Sequence, residues 1–104
     1  MAQYLYQIQP TRIEMVSVGP MPDEQEIVAQ HFDYLKRLLA EGALILAGRT
    51  TNGDDTTFGI VIFNANSDAE ARRIVEQDPA VSGGVMRATL FPYRVALIAE
   101  ANVQ

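Results

Sequence analysis

The stretch ALILAGRTTNGDDTTFGIVIFNA, residues 43–65, is two apolar arms around Asn52-Gly53-Asp54-Asp55. β-Branched and aromatic residues crowd both arms, and Asn-Gly is a strong short-range signal for chain reversal. Residues 43–51 and 56–65 are therefore expected to pair as an antiparallel hairpin. A helix is written on each side of it. Upstream, Pro22-Asp23-Glu24 places a preset φ and negative charge at a helix start. Ile27, Leu35, Leu38 and Leu39, with Val28 and Phe32 flanking, recur at helical spacing, while Glu24, Asp33, Lys36, Arg37 and Glu41 fill the other side. The spacing predicts a helix over residues 23–41, ended by Gly42. Downstream, Ser67-Asp68-Ala69-Glu70 has the form of a capping box, and a second helix is expected to run to Gln77 before Asp78-Pro79 stops it.

Strands are expected outside the helices as well. Residues 4–9 and 12–18 read as one long first strand bent at Pro10, and Ser82-Gly83-Gly84 turns the chain into a last long strand over residues 86–99, interrupted at Pro92. The order β-α-β-β-α-β belongs to the α+β class. It packs as a four-stranded antiparallel sheet with two helices on one face, the ferredoxin-like arrangement. One sheet face is then uncovered, and Leu44, Leu46, Ile60 and Ile62 are assigned to it. That face, with long first and last strands projecting as a ribbon, predicts a homodimer packed sheet to sheet.

Composition narrows the function classes. The 104 residues, 48% hydrophobic, suit a single domain with its own core. Thirteen acidic residues against 8 basic give a net charge of −5, and the basic residues form no cluster beyond Lys36-Arg37 and Arg72-Arg73. Nucleic acid and anionic membranes are not expected partners. The chain has no cysteine and one histidine, which leaves no thiolate chemistry and no metal site of several histidines within one chain. No apolar run approaches the roughly 20 residues of a membrane span. The N-terminus lacks the charged start and apolar stretch of a secretion signal, so a cytoplasmic location is the expectation.

The single histidine carries the chemistry. His31 lies four residues after Ile27 and four before Leu35, in the stripe expected to face the sheet. Asp78 lies seven residues after Ala71 and continues the inward face of the second helix. Consecutive elements alternate direction, so the two polar groups are brought to the same end of the helical layer. A carboxylate there accepts a hydrogen bond from one ring nitrogen, fixes the tautomer and leaves the other nitrogen as a general base. Each residue alone has a plainer explanation: a backbone partner for His31, and turn chemistry before proline for Asp78. Arg49, after Gly48 at a strand end, is a candidate to hold a substrate anion, with a solvated surface position as the alternative. Tyr34, three residues after His31, is a candidate neighbour on the same helix, or an amphipathic core edge.

These segments resemble a known family. His31-Phe32-Asp33-Tyr34-Leu35, Gly42-Ala43-Leu44-Ile45-Leu46-Ala47-Gly48, Ser67-Asp68-Ala69-Glu70-Ala71, Asp78-Pro79 and Phe91-Pro92-Tyr93 are similar to the YCII-related (YciI-like) proteins over residues 13–95. The resemblance implies a ferredoxin-like subunit of a dimeric α+β barrel, with an active site on a histidine and an aspartate that match His31 and Asp78. Some relatives are dechlorinating lyases of aromatic degradation. The chain departs from the pattern at Ala80, where the family usually has an aromatic residue, and at Arg49, where it often has proline.

The leading expectation is a small cofactor-independent enzyme in which His31 moves a proton on a small anionic carbonyl or ring substrate, by elimination or isomerisation. Asp78 would orient the imidazole, and Arg49 and Tyr34 would contact substrate. Two alternatives stay open: a non-catalytic small-molecule-binding or accessory protein using the same dimer cleft, and a haem-dependent relative with His31 as axial ligand.

Overall fold

Eight elements make up the computed structural model, which describes residues 2–99. They are β1 (Ala2–Pro10), α1 (Glu14–Ser17), α2 (Pro22–Ala40), β2 (Leu44–Arg49), β3 (Gly59–Ala65), α3 (Asp68–Glu76), α4 (Pro79–Ser82) and β4 (Met86–Tyr93). The strands form one antiparallel sheet in the order β2-β3-β1-β4, which with the long α2 and with α3 gives the expected α+β, ferredoxin-like fold. The two central strands set the faces. Tyr4 lies opposite Phe63, Tyr6 opposite Val61 and Ile8 opposite Gly59, all on one side. Tyr34, Leu35 and Leu38 of α2 and Ala71 and Val75 of α3 complete the core on that side. Helical periodicity on one layer thus meets strand alternation on the other. The Tyr34 hydroxyl donates to the Ile74 carbonyl at 2.6 Å and ties α2 to α3.

Helix ends follow local chemistry. The Glu24 carboxylate accepts the Met21 N–H at 2.7 Å, half of a capping box at the start of α2. Gly42, at φ +82°, closes it in the left-handed region. Ser67 Oγ accepts the Glu70 N–H at 3.1 Å and starts α3, whereas the Glu70 carboxylate reaches the N–H of Asn66 rather than that of Ser67.

Several expectations about strands need correction. Residues 12–18 are not strand. β1 stops at Pro10 opposite Met86, and past that point no neighbouring strand remains to pair with. Instead Thr11 bonds back to Gly84 and Val85, Arg12 turns to Glu24, and Met15 buries against Ala80 and Val85, which winds residues 14–17 into a helical turn. The last strand ends at Tyr93, where its partner Gln3 nears the start of β1, so no long ribbon projects; Leu97 is 95% exposed. The hairpin is present, but its arms are shorter than read. Neither Asn52 nor Gly53 takes a positive φ, and a wider loop is held by Thr50 N–H to the Phe58 carbonyl and by Asn52, Asp54 and Thr56 side chains. A bulge between Leu44 and Leu46 turns Leu44 to the helix face, not the open one. Finally, the turn at Ser82-Gly83-Gly84 is preceded by the short helix α4, which the sequence did not announce.

Candidate functional site

α2 delivers His31 one turn after Ile27 and one before Leu35, so its ring leans toward the core at the end of the helical layer. Asp78 reaches the same place by a different route from the one its spacing suggested. It is the extended residue before Pro79 and the N-cap of α4, its Oδ1 accepting the Ala80 N–H at 2.9 Å. The Asp78 side chain is 0% exposed. His31 Nδ1 stands 2.7 Å from Oδ1 and 2.8 Å from Oδ2, and the His31 side chain keeps 12% of its surface accessible.

A third residue joins them from the sheet. The Tyr6 hydroxyl donates to Asp78 Oδ2 at 2.7 Å. Burial first, and the Asp78 charge second, push that hydroxyl far above the usual tyrosine range, so it acts only as a donor. With Tyr6 and Ala80 both donating to it, the carboxylate is arranged as an acceptor for a third donor, and Nδ1 is the ring nitrogen that faces it. Nε2, on the far edge of the ring, has no hydrogen-bond partner among the described residues.

His31 also lines a cavity of about 540 Å³. Val28, Phe32 and Leu35 continue its wall along α2, Met15, Val16 and Pro20 close another side, and Ile8, Gly59 and Val61 form the sheet floor. Ala47, Gly48 and Arg49 with Thr57 and Phe58 complete the rim at the β2–β3 end. The walls are mainly apolar, and the polar side chains offered are those of His31, Arg49 and Thr57. A largely apolar pocket of this size with a few converging polar groups suits a small organic molecule. Among the described residues no group of three or more His, Cys, Asp or Glu side chains is placed to hold a metal ion.

The structure therefore brings three of the four candidate residues together. His31 and Arg49 share the cavity, and Asp78 lies behind His31. Tyr34 does not reach it: the side chain is buried between α2 and α3, its hydroxyl is spent on Ile74, and burial followed by the Asp78 charge pushes it up to about 12. Tyr6 does not stand out in the sequence, where it is one aromatic residue within the strand expected over residues 4–9. A tyrosine at an inward strand position needs a partner for its hydroxyl, and that requirement was the available signal. The wall from Met15 to Pro20 was missed with the helical turn that builds it.

Comparison with known proteins bears on the family and the fold. Residues 4–93 match the YCII-related domain family. The uncharacterized protein YjpA of Bacillus subtilis (strain 168) is 35% identical over 71 residues, 68% of this chain and 80% of YjpA. Among solved structures, the fold is similar to that of 5-chloro-2-hydroxyhydroquinone dehydrochlorinase, TftG, from Burkholderia phenoliruptrix AC1100, solved in complex with 2,5-dihydroxybenzoquinone. The TM-score is 0.62 at 22% identity, covering 88% of this chain and 93% of TftG. A dimeric ferredoxin-like protein from an uncultured marine organism aligns with a TM-score of 0.47 at 10% identity, over 95% of this chain and 98% of its own.

Proposed function

The chain belongs to the YCII-related domain family, and from that premise we propose that it is a small acid/base enzyme, of the lyase or isomerase type, acting on a small anionic ring or carbonyl compound. The observation that carries this reading is an imidazole whose Nδ1 faces both oxygens of a fully buried carboxylate while its ring lines an apolar cavity. In an elimination, Nε2 takes a proton from the substrate, the released electron pair forms the new double bond, and the leaving group departs with its bonding pair. Asp78 stabilises the imidazolium until Nε2 returns its proton to water. Arg49 holds the negative part of the substrate at the rim, and the apolar walls exclude water around the rest. The dehydrochlorinase activity of TftG, on a related fold, supports this class of chemistry. No cofactor enters these steps.

The working assembly in this reading is a homodimer of single-domain subunits inside the cell, packed through the open sheet face. The test is a titration with 2,5-dihydroxybenzoquinone followed by a turnover screen of halogenated hydroxyhydroquinones. Binding is expected in the parent and is expected to weaken in Arg49→Gln. Turnover is expected to fall about 10²–10⁴-fold in His31→Gln. Binding with no turnover, unaltered by His31→Gln, favours the accessory binding protein instead.

A further inference from the structure

Asp78 is gripped from two sides. Ala80 N–H bonds Oδ1 at 2.9 Å from the start of α4, and the Tyr6 hydroxyl bonds Oδ2 at 2.7 Å from the sheet. A carboxylate held by one donor turns easily about its terminal torsion, which has a broad, roughly two-fold profile; one held by a donor on each oxygen does not. The Tyr6 donor is itself immobile. It sits at mid-strand in β1, paired with Val61 on one side and Leu90 on the other, and is 0% exposed. Its ring meets Phe63 edge-on at 5.8 Å and 73°. Tyr6 does not line the cavity, so it acts on a bound molecule only through Asp78 and His31.

We propose that Tyr6 is a positioning residue for the His31–Asp78 pair. By donating to Oδ2 it fixes the roll of the carboxylate so that both oxygens face Nδ1, which keeps the imidazole proton on Nδ1 and presents the Nε2 lone pair to the cavity. The proposal rests on the reading of His31 as the proton-transferring group. Burial, first, and the Asp78 charge hold the phenol well above the usual tyrosine range, so it stays protonated at neutral pH.

Nitrogen NMR of the full chain labelled with ¹⁵N-histidine tests this directly, since the sequence contains one histidine. In the parent, Nδ1 is expected to carry the proton and Nε2 to show the shift of a bare ring nitrogen. In Tyr6→Phe, with an otherwise parent-like amide spectrum, the two shifts are expected to move toward each other as the Nε2–H form becomes populated. A folded Tyr6→Phe with parent histidine shifts overturns the proposal. If that variant does not fold, 3-fluorotyrosine placed at position 6 keeps the shape and donates more strongly. The Nδ1 proton resonance is then expected to move upfield, and an unmoved resonance overturns the proposal. A parent that carries its proton on Nε2 overturns the acid/base reading of His31 itself, whereas an unresponsive Nδ1–H form overturns only the role of Tyr6.

Discussion

Asp78 holds three groups at once: the His31 ring, the Tyr6 hydroxyl and the Ala80 N–H. Replacing it with alanine leaves the buried Tyr6 hydroxyl and Ala80 N–H without their acceptor. A buried neutral donor left without its acceptor costs about 1–3 kcal/mol. Asp78→Ala is therefore expected to lower stability by about that amount in urea unfolding, while Asp78→Asn, which keeps one carbonyl oxygen, loses less. A second single-residue prediction concerns Gly83, where α4 passes close to α2. A Cβ added there falls 2.7 Å from the Pro79 carbonyl and 3.2 Å from Ile27 Cδ1. Backbone cannot yield as a flexible side chain does, so Gly83→Ala is expected to cost about 1–3 kcal/mol, measured the same way. At this scale the candidate site was half legible. His31 and Asp78 stood out because each breaks an apolar pattern. Tyr6 did not, because an aromatic residue on a strand breaks none.

Elements with a repeating pattern were readable, and elements held by single long-range contacts were not. The apolar spacing of α2, its glycine stop and the serine cap of α3 each depend on neighbours within a turn or two in sequence. The segment from Thr11 to Met21 depends on Glu24, Gly84 and Val85, and its alternating apolar residues imitate a strand. Arg12 grips Glu24 through two bonds of 2.9 and 2.7 Å, which holds the segment as one wall of the cavity. That pair gives a pH prediction. The hydrogen bonds from Arg12, first, and from the Met21 N–H hold the Glu24 carboxyl down at about 2, against an ordinary value of 4.5. A carboxyl depressed in the folded state adds stability that is complete above the ordinary value and disappears as pH falls toward the folded one. The stability difference between the parent and Glu24→Gln is therefore expected to be constant above about pH 5 and to shrink between about pH 4.5 and about pH 2, read from urea unfolding at each pH.

At the scale of the whole molecule, the helices cover one face of the sheet, and among the described residues no helix covers the other. Leu5, Ile62 and Phe91 lie side by side across β1, β3 and β4 on that second face, and Leu46 extends the row onto β2. Leu46 and Phe91 remain 39% and 44% exposed, while Gln3, Gln7 and Thr89 flank the row with uncharged polar groups. A surface of this kind, apolar along its middle row with Arg87 as a charge at one border, favours a second copy of itself over water. The proposed dimer follows from it, and charge opposes it. Each copy carries −5, so bringing two together is resisted at long range, and salt screens that resistance with a Debye length of about 10 Å at 0.1 M. Phe91→Asp places a charge at the β4 end of the row, on the face of the sheet opposite His31. It is expected to convert a dimer, measured by light scattering, into a monomer while leaving the His31 NMR signals in place. Raising salt from low to moderate concentration is expected to tighten the parent dimer and to do little for the variant, since screening relieves repulsion between copies but does not remove the cost of burying the new carboxylate. A parent that is monomeric at every salt concentration would leave the open face without its second copy, and the cavity on the opposite side would still stand as built by one chain.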